Sequence, residues 1–155
     1  MKKIVLSILI LFTVNSWAFA SANNDIPDDA VKFFMKIARE SITAAVVSDG
    51  SHIPPETIEE KKKEIIPFSD AKDAVAAGRN SSLLEWCGLD AQSNYKAFMR
   101  FQRAKAKWSD KQLAYFSLIH GVTQGYLLAK HKEDGECPDK TRLEIESKLS
   151  SSKSK

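Results

Sequence analysis

Long apolar runs are almost missing from this 155-residue chain. Residues 4–14 (IVLSILILFTV) form the single one, and these 11 residues are too few to cross a hydrocarbon core of about 30 Å as a helix. A surplus of one charge is missing too. Lysine and arginine number 23 against 20 acids, a formal +3. Removing Lys2 and Lys3 with an N-terminal leader lowers +3 to +1, and setting aside Lys153 and Lys155 of the polar tail gives −1. A bulk binder of nucleic acid would show a clear basic excess, so that class is excluded. Disorder is excluded as well, because 43% of the residues are hydrophobic and the mature charge is near balance.

Catalytic signatures are also scarce. There is no G-x-S-x-G, no P-loop and no dinucleotide fingerprint. Ser69-Asp70-Ala71-Lys72 matches S-x-x-K, but neither S-D-N nor K-T-G accompanies it. His52, His120 and His131 are scattered, without H-E-x-x-H or clustered Cys/His spacing, so no metal and no cofactor are expected. The cluster of His131, Glu133, Asp134 and Glu136 reads as a solvated loop.

What is present begins with the leader. Met1-Lys2-Lys3 is a short positive start, residues 4–14 are its apolar segment, and Ala18-Phe19-Ala20 is the small-x-small pattern of signal peptidase. Residues 1–20 therefore read as a signal peptide cleaved near Ala20 or Ala22, with the periplasm as the address and no membrane segment afterwards. The mature chain is one domain, residues 21–149, followed by a polar tail, residues 150–155. Its cysteines, Cys87 and Cys137, are expected to form one disulfide in an oxidising compartment. Closing a loop of that length is worth on the order of 4 kcal/mol in the chain-entropy model.

Periodicity predicts an all-α fold of about five helices, with no strand-type alternation and no internal repeat. Asp25 is a candidate cap for a first helix ending at Asp49-Gly50, with Val31, Phe34, Ala38, Ile42 and Ala45 on one stripe, widened by Phe33, Ile37 and Val46. A proline-flanked connector with a short charged helix over residues 56–66 follows. Ser69 is read as capping a short helix from Asp70 to Ala77, stopped by Gly78. Asn80-Ser81-Ser82 is read as a turn, and it is also a glycosylation sequon. Asp90 is the expected cap of the next helix, with Tyr95, Phe98, Met99, Gln102 and Ala106 at helical spacing. Ser109 with Gln112 reads as a capping box, stapled by Trp108 on Leu113, for a central helix to about Lys130. Thr141 and Glu144 read as the capping box of a last helix through Leu149.

The central helix carries Ser117, Gly121 and Gly125 at i, i+4 and i+8. Glycine inside a helix costs about 1 kcal/mol relative to alanine, so the stripe needs a reason. Close helix packing is the expected one, and a groove for a partner is the other. His120 is read as a core residue, since no carboxylate lies within helical reach. Residues 98–108 interleave aromatics with Arg100, Arg103, Lys105 and Lys107, a locally positive face that reads as solvated or as meeting an acidic partner or a glycan.

From Cys87 onward the outline resembles the Rap/Tai family of exported immunity proteins, which protect bacteria from type VI secretion peptidoglycan amidases. The residues carrying it are the glycine-containing helix Ile119-His120-Gly121-Val122-Thr123-Gln124-Gly125-Tyr126, the Cys137-Pro138 step and the terminal helix. The resemblance covers about 35 residues, and it implies an all-helical periplasmic protein that plugs an enzyme's groove and is capable of forming a homodimer. Residues 84–90 and the extra N-terminal helix depart from that pattern. The reading that results is a non-enzymatic binding protein whose partner is another protein, with Trp86, Trp108, His120, Gln124, Arg100 and Arg103 as candidate contacts. Two alternatives stay open: a periplasmic stress factor or acid chaperone of the Hde type, and a small hydrolase using His120.

Overall fold

The computed structural model describes residues 26–47 and 49–153, without the side chains of residues 151–153. The expected signal peptide, Asp25 and the last two residues lie outside that range. Six helices appear in chain order: α1 (Asp28–Glu40), α2 (Ile58–Lys61), α3 (Phe68–Trp86), α4 (Ala91–Lys105), α5 (Asp110–Glu133) and α6 (Asp139–Lys153). The all-α expectation and the Cys87–Cys137 bridge both hold, the latter with Cα atoms 5.0 Å apart.

α5 is central and packs against α3, α4, α1 and the turn after α1. Its start follows local chemistry. Ser109 accepts a hydrogen bond from the Gln112 amide, and the Gln112 side chain accepts from the Ser109 amide. The Trp108 ring lies edge-on to Phe116, 5.2 Å between centroids. Asp90 caps α4 by accepting from the Ser93 amide, as expected. The core gathers Val31, Phe34 and Ala38 of α1, Ala71, Ala74 and Ala77 of α3, Phe98 and Met99 of α4, and Tyr115, Phe116 and Ile119 of α5. Of the residues expected to widen the α1 stripe, Phe33 and Val46 are exposed.

Several boundaries differ from the sequence reading. α1 starts at Asp28, with Pro27 at the cap position, and stops at Glu40. A 3₁₀ turn, Ile42–Ala44, follows, and the chain doubles back through a single bridge between Val46 and His52. The β-branched pair Val46-Val47 favours extended backbone, and Asp49-Gly50 serves that reversal instead of a helix stop. Gly50 has φ +83°, and the Asp49 carboxylate accepts from the Ser51 amide. The charged connector helix is only four residues, Ile58–Lys61, opened by a Thr57–Glu60 capping box. α6 begins at Asp139 and runs to Lys153, so Thr141 sits inside its first turn and Ser150 within its span rather than in a frayed tail.

The largest correction concerns α3. It opens at Phe68 after Pro67 and continues for 19 residues, straight through Gly78 and Asn80-Ser81-Ser82. At Gly78 the α3 backbone comes close to α5: a Cβ there would lie 2.6 Å from the His120 carbonyl oxygen and 2.8 Å from Thr123 Cβ. Ser81 and Ser82 are fully buried, so the sequon is part of a helix interface. The S-x-x-K match dissolves as well, because the Lys72 ammonium is held by Asp28 at 2.6 Å.

Two measurements of melting temperature test this packing. Gly78→Ala is expected to destabilise by about 1–3 kcal/mol, the usual cost of overpacking, with the larger figure favoured because backbone blocks the methyl. Fully buried Gln102 has neither amide atom partnered. Gln102→Met is therefore expected to stabilise by about 1–3 kcal/mol, the penalty of an unsatisfied buried group. An unchanged or lower melting point for Gln102→Met would show that its amide is satisfied.

Candidate functional site

The Gly78 crossing places His120 against α3 and α4. Its Nε2 is 2.9 Å from Ser81 Oγ. Asn94 of α4 donates from Nδ2 both to Ser81 Oγ (2.8 Å) and to the Ala77 carbonyl (3.1 Å). Ser81 Oγ thus accepts from Asn94 and shares a second hydrogen bond with His120 Nε2, whose direction follows the imidazole tautomer. The ring also faces Tyr95 at 4.9 Å and stacks on Phe98 at 6.0 Å. Burial among these groups pushes the His120 pKa down to about 4.

Above this floor, α4 and α5 leave a shallow cavity of about 210 Å³, lined by Ala91, Gln92, Tyr95, Ser117, His120, Gly121 and Gln124. Each polar group in that lining is neutral. Tyr95 and Ser117 share a hydroxyl hydrogen bond of 2.8 Å, and Gln124 donates from Nε2 to Glu85 on the rim at 2.6 Å. Gly121 and Gly125 are exposed, and a Cβ at either would meet no atom within 4 Å. The expected close packing along Ser117, Gly121 and Gly125 is thus corrected: the tight glycine is Gly78, and the α5 stripe is open among the described residues.

The candidate residues separate into four places. His120, Gln124, Ser117 and Gly121 meet at the cavity. Trp86 lies elsewhere, stacked on His131 at 4.8 Å and donating from Nε1 to the Gly135 carbonyl, where it clamps the loop leading to Cys137. Trp108 is half-buried in the core beside Phe116. Arg100 and Arg103 are exposed on α4 outside the cavity. Sequence reasoning missed Ser81, Asn94, Gln92 and Glu85. Reading Asn80-Ser81-Ser82 as a turn hid Ser81. Continuing the helix would have put it one turn after Ala77 and Gly78, on the buried face.

Chemically, the site offers hydrogen bonds to an uncharged group. The Ser81–His120 pair has nucleophile–base geometry, but Ser81 is fully buried and a base whose pKa is near 4 is poorly matched to neutral pH. Among the described residues, no group of three His, Cys, Asp or Glu side chains is placed to hold a metal ion, and no helix is long and apolar enough to cross a membrane. Comparison with family models, with curated proteins and with solved structures gives no match.

The lowered histidine pKa fixes a pH dependence. The unfolded chain protonates His120 near 6.5 and the folded one only near 4, so the folded state loses stability as pH falls between those values. Between about pH 7 and pH 5 the expected loss is on the order of 2 kcal/mol. Urea denaturation at both values checks it, and His120→Gln is expected to remove most of the slope.

Proposed function

We propose that this protein is exported to the periplasm and acts there as a non-catalytic binding protein, an immunity-type inhibitor whose docking site is the α4–α5 cavity. The observation that carries the reading is the cavity itself: neutral hydrogen-bonding groups beside uncovered helix backbone at Gly121. Such a surface suits insertion of an uncharged side chain or main-chain segment, which needs close backbone approach and partners for its amide groups. The disulfide agrees with an oxidising compartment, and the leader supplies the route. The resemblance of residues 119–126, the Cys137-Pro138 step and the terminal helix to the Rap/Tai family supports a peptidoglycan amidase as the partner in this reading.

The test is capture from a periplasmic extract with immobilised mature protein, run beside Gly121→Arg. Gly121 has room for a side chain, so the variant is expected to fold normally while blocking the cavity. Wild type is expected to retain a stoichiometric partner with amidase activity and to inhibit it, and Gly121→Arg to lose both. Retention of no partner in several growth states, or equal retention by the two proteins, would overturn the reading.

A second reading, an acid-responsive stress factor, draws on the buried neutral His120. It requires the fold to open as pH falls from about 7 to about 2, with the His120 contribution lost between about pH 6.5 and 4, and to suppress client aggregation there. Unchanged helicity over that range would eliminate it.

A further inference from the structure

α4 has no acidic residue in its 15 positions, and it carries Lys96, Arg100 and Arg103 at i, i+4 and i+7. At about 100° per residue these three fall within an arc of roughly 60°, and they extend along about 10 Å of helix. All three are exposed. Among the described residues, ion pairs hold Lys32, Arg39, Lys62, Lys72, Lys105, Lys111, Lys130 and Arg142. Among the described residues no salt bridge involves the three α4 cations, and Lys96 lies near enough to the capping Asp90 to help hold its carboxyl low. Lys105, on the other side of the same helix, is taken up by Asp70 at 2.5 Å and Asp73 at 3.5 Å. The stripe is therefore a run of three unbridged cations, with Asp90 at its N-terminal end, on a molecule whose total charge is nearly balanced.

The stripe is continuous with the cavity. Gln92 and Tyr95, which line it, precede Lys96 by four residues and one residue on the same helix. We infer that an acidic peptide segment of the partner protein lies along α4, its carboxylates on Lys96, Arg100 and Arg103 and an adjoining uncharged residue in the cavity. Two of the three cations are arginines, whose fork matches a carboxylate bidentately. The Gln92 amide and the Gln124 carbonyl oxygen, the Gln124 Nε2 being held by Glu85, match the peptide groups of such a segment, and a purely anionic polymer would have no use for them. Exposed pairs of this kind contribute modestly to affinity and more to the rate of encounter. The inference rests on the reading of the cavity as the docking site and adds the partner's chemistry to it.

The probe is a fluorescent ten-residue peptide rich in glutamate, titrated into the mature protein at low ionic strength, with amide chemical shifts recorded in parallel. Shifts are expected along residues 92–103, and binding should weaken steeply as salt rises, since exposed pairs are screened. The triple variant Lys96→Ala, Arg100→Ala, Arg103→Ala is expected to bind about tenfold more weakly, with an unchanged melting point. Charge reversal in Arg103→Glu should weaken it further than Arg103→Ala, whereas Lys132→Ala with Lys140→Ala should change little. Equal binding by the triple variant, or no binding at low salt, overturns the inference. Tighter binding of a sulfated oligosaccharide of matched charge overturns the acidic-protein assignment. If the stripe fails while Gly121→Arg still abolishes partner capture, the docking site stands and only the partner's acidity falls.

Discussion

The approach of α3 to α5 at Gly78 is the constraint on which the rest depends. A side chain at that position would collide with backbone, so the two helices meet at a distance that only glycine permits. The close crossing buries Ser81 and Ser82 on one side and Ile119, His120 and Thr123 on the other. Thr123 satisfies its hydroxyl locally by donating to the Ile119 carbonyl. His120 has no such local solution, and it turns to Ser81, which in turn recruits Asn94. α4 is thereby tied to the crossing, and the cavity is the space left between α4 and α5 once that tie is made.

Away from the crossing, the ends of the bundle are held by charge and by sulfur. Arg39, near the end of α1, donates twice to Glu56 (2.7 and 3.0 Å) and once to the Glu60 carbonyl (2.9 Å). Lys111, in the first turn of α5, reaches Glu56 at 3.2 Å and Glu60 at 2.9 Å. The Glu56 side chain is only 7% exposed, so its pair with Arg39 is less screened than an ordinary surface bridge. These contacts hold Glu56 below the usual carboxylate range, with the Arg39 hydrogen bond the chief cause. The arrangement binds the proline-rich connector over Ile53 and Ile66, both buried. Elsewhere, none of the described side chains of α6 joins the core, and the bridge with Trp86 on Gly135 anchors the loop before it.

What could be read from the sequence was local chemistry, and what could not was contact. The Ser109–Gln112 box, the Asp90 cap, the Cys87–Cys137 pair and the Val31–Phe34–Ala38 stripe each depend on residues within a turn or on a composition rule, and each appears as expected. Glycine was misread in three helical positions because its meaning lies in what faces it. Gly78 looked like a stop and is an interface; Gly121 and Gly125 looked like an interface and are open. Asp49-Gly50 looked like a helix end because the apolar spacing of α1 runs on to Val46, although the helix had already ended at Ser41. Thr141 matched a capping box, but α6 had already started at Asp139, directly after Pro138. At the site, His120 was correctly placed in the core, and its partners Ser81 and Asn94 were invisible because they come from two other helices.

The three helical glycines also bear on why the cavity exists. Gly78 offsets its helix cost by permitting the α3–α5 crossing. Gly121 and Gly125 offset nothing among the described residues, yet each gives up about 1 kcal/mol relative to alanine. Stability alone would replace both, since alanine would fit without displacing any described atom. His120 also costs stability as pH falls, a cost set against its tie to Ser81 and Asn94. Features that lower stability cluster where a protein does its work. Here two of them, Gly121 and His120, line one cavity, and Gly125 lies one turn further along α5. That coincidence, more than the cavity's modest size, is the physical argument for placing function on this face of α5.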